Sequence, residues 1–185
     1  RHDPGREFLS YLSGLAGDKK LAIRCMMREL PYVEFELNSK EFYDYDFIPV
    51  GVKAEDGSYH NITEYPLFTD SFHEVLIMSP FLSNGIIKDF NDRNPYINHS
   101  EYVLLTRTMS LGKLKAKDCA NFKIYTLKDA IVDGETLISE DNTSILQQDI
   151  HAKLYMVRKY SDTDLYLGSL NASHNAINGN VEFMM

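Results

Sequence analysis

The sequence predicts an α/β fold, a mixed and largely parallel β-sheet flanked by helices on both faces, and three observations carry that expectation. Short apolar runs at 74–78, 102–106 and 123–127 begin and stop abruptly, as strands buried on both faces do. Helix-like stretches at 86–91 and 110–120 separate them, so strand and helix signals alternate. A hairpin signal then follows, in which residues 149–160 and 165–169 flank the polar Ser161-Asp162-Thr163-Asp164.

The elements follow in order along the chain. Phe8, Leu9, Leu12 and Leu15 have helical spacing, Gly14 and Gly17 interrupt it, and residues 20–30 read as either helix or strand. Over 32–52, aromatic and β-branched residues alternate with charges, and Asp56-Gly57 marks a turn before Tyr59, which predicts a small β region within 31–65. Residues 1–68 are thus an N-terminal segment of a helix and a small β region, with no assigned role. The run at 74–78 ends at Ser79-Pro80, and Asn84-Gly85 opens the next helix. No internal repeat or low-complexity tract is present.

Composition narrows the class. The chain has 185 residues, 44% hydrophobic and 25% charged, the balance of a globular domain with a real core. No apolar run approaches the roughly 20 residues of a membrane helix. Cys25 and Cys119 are too far apart in sequence for a metal knuckle or a disulfide framework, which suits a reducing, cytoplasmic setting. The formal charge of −8 excludes a general polyanion coat, so any contact with nucleic acid must be local. Opening on Arg1 and closing on Val-Glu-Phe-Met-Met, the sequence is expected to be part of a longer protein.

Chemistry gathers near the hairpin. A strand's period of two puts His151, Lys153, Tyr155 and Val157 on one face, with the His and Lys roughly 7 Å apart. On the second hairpin strand Ser169 and Asn171 share a face, and Gly168 permits close backbone approach.

His151-x-Lys153 followed by Gly168-Ser169-x-Asn171 resembles the signature of the phospholipase D superfamily, the HKD phosphodiesterases, and the likeness spans roughly residues 70–185. The resemblance implies the phospholipase D fold, with 69–185 as the catalytic domain. The full family motif has an Asp where this chain has Arg158; Asp162 and Asp164 fall in the turn instead. Metal-independent nucleases of the family use a downstream Glu, and Glu182 stands 31 positions after His151 (182 − 151), so the chain resembles the nuclease branch.

These residue types suit the reaction. A phosphodiester is an anion with a poor leaving group; it must be held by cations and donors, attacked in line and protonated on departure. The resemblance implies His151 as nucleophile, forming a phosphohistidine, with Glu182 holding its other ring nitrogen. Lys153 and Asn171 would bind the non-bridging oxygens, with Ser169, Gly168 and Ser173 as further substrate contacts, and neither metal nor cofactor is required. A second His must protonate the leaving oxygen, and single-motif relatives pair two copies. A homodimer with a shared site is therefore expected, or else missing domains that supply the second motif.

Other residues read as structural. His2, His60, His73, His99 and His174 lack partners at ligand spacing, although His174 lies close enough to Asn171 to line the site. Lys113, Lys115, Lys117 and Lys123 form a local basic run that reads as a solvated face and, with Arg107, as a possible track for a nucleic-acid backbone. The acidic stretches 133–135 and 139–142 read as turns without EF-hand order. Ser79 and Ser83 follow a buried strand, where α/β sheets place ligand loops, and neither is in a Gly-x-Ser-x-Gly elbow. Asn61, Asn98, Asn142 and Asn171 sit in glycosylation sequons that nothing else supports. The leading expectation is a nuclease on DNA or RNA, as a module of a larger bacterial protein; the alternatives are hydrolysis of a phospholipid or small phosphodiester, and an idle binding or assembly module.

Overall fold

A computed structural model describes residues 2–34, 40–54, 56–93, 100–126 and 150–185. A five-stranded sheet forms the centre. It consists of β2 (Glu74–Met78), β3 (Glu101–Thr106), β4 (Phe122–Thr126), β5 (Leu154–Lys159) and β6 (Asp162–Leu167). The strand order is β4-β3-β2-β5-β6, in which β2, β3 and β4 run parallel while β5 and β6 run antiparallel to their neighbours. The mixed α/β class expected from the sequence is the one observed.

Registry explains which residues form the core. Val75 pairs with Tyr102 and Val157, and Ile77 with Leu104 and Tyr155, so the period of two brings all six to one face. All six are buried there, and α4 (Asn84–Asp92) adds Ile86, Ile87 and Phe90, the last stacked on Tyr155 at 6.2 Å. Each such fully buried apolar side chain contributes about 1.5–3 kcal/mol. The opposite face carries Leu76, Val103, Leu105 and Met156, all partly accessible. Arg93, at the end of α4, donates from Nη1 to the carbonyls of Leu67 and Asp70 and lies 4.5 Å above the Phe90 ring, which fastens the helix to the α3 (Pro66–Thr69) segment.

The N-terminal part departs from expectation. Residues 20–30, ambiguous in sequence, are helical as α2 (Lys20–Glu29), which follows α1 (His2–Leu15). Of the strands expected over 32–52, the described residues contain only β1 (Ile48–Val50) and an isolated bridge between Lys53 and Tyr59 around the Asp56-Gly57 turn. Alternation of aromatic and charged residues creates a strand only where a partner exists, and the partner of β1 is β7 (Glu182–Met184), with Val50 opposite Glu182. Ile48, Val50, Ile62 and Leu67 belong to the same buried cluster as the sheet residues.

Two further boundaries shift. The helix expected over 110–120 is broken into α5 (Thr108–Leu111) and a 3-10 turn at Ala116–Cys119. The hairpin turn is Tyr160-Ser161, with Tyr160 at φ 58°, so Asp162 and Asp164 lie on β6 and not in the turn. The acidic stretches at 133–142 lie outside the described residues. Among the described residues no helix is long and apolar enough to cross a membrane.

Candidate active site

The sheet's topology collects the candidate residues at one edge. Because β5 runs antiparallel to β2, the start of β5 meets the C-terminal end of β2, with Leu154 opposite Met78; β6 returns to the same edge, with Leu167 opposite Leu154. The chain just beyond that row comprises Ser79, Arg107, residues 151–153 and residues 168–171. Ligand sites of α/β sheets form beyond the C-terminal strand ends for this reason.

His151 and Lys153 precede β5 and do not lie inside a strand, because β2 ends at Met78 and offers nothing further to pair with. His151 is exposed. Its ring faces Arg107, whose Nη2 is 3.3 Å from both Nδ1 and Nε2, while Arg107 Nε donates to the Ile150 carbonyl at 3.1 Å. Phe81 lies beneath that guanidinium, 4.9 Å from its centre. Lys153 is half-buried, and its Nζ donates to the His151 carbonyl at 2.7 Å.

The two halves of the motif touch directly. The Gly168 N–H donates to the Lys153 carbonyl at 3.4 Å, and a Cβ at position 168 would lie 2.1 Å from the Phe183 carbonyl oxygen. Only glycine fits there. Ser169 pairs with Phe183 twice: its N–H donates to the Phe183 carbonyl at 3.0 Å, and its Oγ accepts from the Phe183 N–H at 3.1 Å. Phe183 is held from its side-chain end by Phe47, stacked at 5.8 Å, and by Phe8 of α1 at 6.1 Å. The N-terminal helix thus buttresses the strand that positions Ser169.

A second serine, fully buried, locks the Asn171 loop. Ser79 Oγ donates to the Phe81 carbonyl at 2.9 Å, accepts from the Ala172 N–H at 3.0 Å and lies 3.5 Å from Asn171 Oδ1. Thr106 Oγ1 reaches the Ser79 carbonyl at 2.7 Å, and Ser83 Oγ accepts from the His174 N–H at 2.9 Å. Tyr155 OH, completely buried, reaches the Leu170 carbonyl at 3.3 Å; burial and the nearby Glu182 carboxylate push this phenol well above its ordinary value.

The remaining candidates are placed differently. Ser173 caps α6 (His174–Asn178), its Oγ accepting from the Ala176 N–H at 3.4 Å, so this hydroxyl already has a structural task. Glu182 is buried on β7, where Oε1 accepts from Asn180 Nδ2 at 3.1 Å, and no hydrogen bond joins it to His151. Lys113, Lys115 and Lys117 are exposed, whereas Lys123 pairs with Glu101 across the sheet. His60 makes a 2.6 Å contact to Glu7 of α1, a structural partner that the sequence did not disclose. Among the described residues no cluster of three or more His, Cys, Asp or Glu side chains could hold a metal ion.

Sequence reasoning undervalued Arg107 and Ser79. The available signal was their position, immediately after buried strands that end at a ligand-binding edge.

Comparison with known proteins adds little. No family model matches the chain, and no curated protein matches it in sequence. Among solved structures it is similar to NucT from Helicobacter pylori over 60% of this chain and 65% of that one, less than two thirds of its length, with a TM-score of 0.41 and 16% identity.

Proposed function

We propose that the protein is a metal-independent phosphodiesterase that cleaves DNA or RNA through a phosphohistidine intermediate. The observation that carries this reading is the meeting of His151-x-Lys153 and Gly168-Ser169-x-Asn171 at one sheet edge, joined by the bond from Gly168 to Lys153.

In this reading a ring nitrogen of His151 attacks phosphorus, a P–N bond forms, and the P–O bond to the leaving alkoxide breaks. A second histidine, from a second copy of the chain or another domain of a longer protein, gives that alkoxide its proton. Water then attacks the phosphohistidine, the P–N bond breaks, and His151 is regenerated beside a phosphomonoester. Lys153 and the Asn171 amide stabilise the charge on the non-bridging oxygens, with Ser169 as a weaker donor. Glu182 makes no hydrogen bond to His151 in this arrangement, and holding the second ring nitrogen is the role this reading assigns to it.

The test is cleavage of labelled single- and double-stranded DNA, and of RNA, in excess EDTA. Wild type is expected to cleave, and His151→Ala or Lys153→Ala to lose about a thousandfold or more in rate. Wild-type-level cleavage by His151→Ala would overturn the reading. Light scattering gives the oligomeric state, which the shared-site version expects to be a dimer.

A further inference from the structure

Arg107 is restrained at the candidate site from several sides. Its Nε is fixed to the carbonyl of Ile150, Phe81 supports the guanidinium from below, and Nη2 sits equidistant, at 3.3 Å, from the two ring nitrogens of His151. An arginine side chain only donates, and a donor equidistant from both ring nitrogens lies over the imidazole face, along neither in-plane lone pair. The guanidinium therefore rests on one face of the ring of the proposed nucleophile.

An anionic phosphoryl oxygen is a better acceptor for a guanidinium than a ring nitrogen, because both partners are then charged and the planar fork can engage two oxygens. Lys153 stands two residues from His151, its ammonium bonded to the His151 carbonyl, so a second cation borders the same space. We propose that Arg107 is a substrate-binding residue of this site. It rests on the His151 ring in the free protein and transfers its N–H donors to the phosphoryl oxygens when a phosphodiester enters, which holds the phosphoryl group beside that ring. The binding of phosphate rests on geometry alone, and its place beside a nucleophile rests on the phosphodiesterase reading.

The anchoring bond to Ile150 fits this role. It keeps the guanidinium beside the segment that carries His151 while Nη2 changes partner, so the exchange needs only a small rotation of the side chain. No covalent bond changes in this step; hydrogen-bond donors move from nitrogen to oxygen.

The experiment titrates inorganic phosphate into the whole chain and follows the imidazole nitrogen and carbon-bound proton signals of His151 by NMR, assigned by their absence in His151→Ala. Wild type is expected to show saturable shifts. Arg107→Ala is expected to bind about tenfold or more weakly, the usual range for a hydrogen bond to a charged group, and added guanidinium ion is expected to restore part of the response. Phosphate binding by Arg107→Ala equal to wild type would overturn the proposal, as would a wild-type His151 that ignores phosphate. A weakened variant that guanidinium does not rescue would show only a structural role for the Ile150 anchor, and would overturn it too. Cleavage by His151→Ala, measured separately, bears on the phosphodiesterase reading and leaves the phosphate titration to judge Arg107.

Discussion

Gly168 illustrates how a single backbone position can fix a site. With a Cβ at 2.1 Å from the Phe183 carbonyl oxygen and 2.9 Å from Met184 Sδ, alanine there must displace β7 or the segment carrying Ser169. Gly168→Ala is expected to cost about 1–3 kcal/mol in stability, measurable by urea unfolding, and to reduce cleavage along with it. Tyr155 offers a gentler probe, because Tyr155→Phe deletes only the bond to the Leu170 carbonyl. A loss of about 1 kcal/mol is expected, with a larger fractional loss of activity than the stability change alone implies, since Leu170 leads directly into Asn171. Gly168 and Asn171 were legible in the sequence as a motif. The buried hydroxyl of Ser79 was not, because its value lies in partners more than ninety positions away that no local pattern announces.

At the scale of elements, legibility followed the number of neighbours each strand needed. The central strands β2 and β3 are flanked on both sides, so they had to be short, apolar and abruptly ended, and their signals were plain. The start of β5 was misplaced for the complementary reason. Residues 151–153 alternate as a strand would, yet their neighbour has already stopped at Met78. Polar side chains could therefore leave the ladder there, and this is where the candidate chemistry lies. Pairing of β1 with β7 was illegible, since each is three residues long and neither carries a period.

Ion pairs across neighbouring elements make a pH prediction. Hydrogen bonds from the Lys159 ammonium to Asp70 and from Lys123 to Glu101 hold both carboxyls below their ordinary values. Depressed folded-state values mean that the stabilisation is complete above the unfolded carboxylate range and is lost as pH falls through the folded values. The melting temperature is therefore expected to fall below about pH 4, and a Lys123→Met, Lys159→Met double variant to show a shallower fall. An identical acid profile in that variant would remove these pairs as the source. Both pairs are exposed, so salt should weaken the effect.

For the molecule as a whole, the proposed action on a nucleic acid must be reconciled with a formal charge of −8. Arg107 and Lys153 at the candidate site add local positive charge without changing the overall sign, and Lys113, Lys115 and Lys117 are exposed between the end of α5 and the end of the 3-10 turn at Ala116–Cys119. Few phosphate contacts imply a shallow salt dependence. The logarithm of the affinity for single-stranded DNA is expected to fall with the logarithm of salt at a slope of about −0.7 per phosphate contacted, so a slope near −2 to −3 would fit, and fluorescence anisotropy of Lys153→Ala should read a smaller one.

The clasp between β1 and β7 imposes an order on synthesis. Residues 151–153 and 168–171 leave the ribosome before Phe183 and Met184, which close over Gly168 and Ser169 and are in turn held by β1, Phe8 and Phe47 from far earlier in the chain. A nascent chain that has just released His151 still lacks the strand that pairs with Ser169. Assembly of the candidate site thus waits for β7, and a chain interrupted before residue 182 would carry the candidate residues without their arrangement.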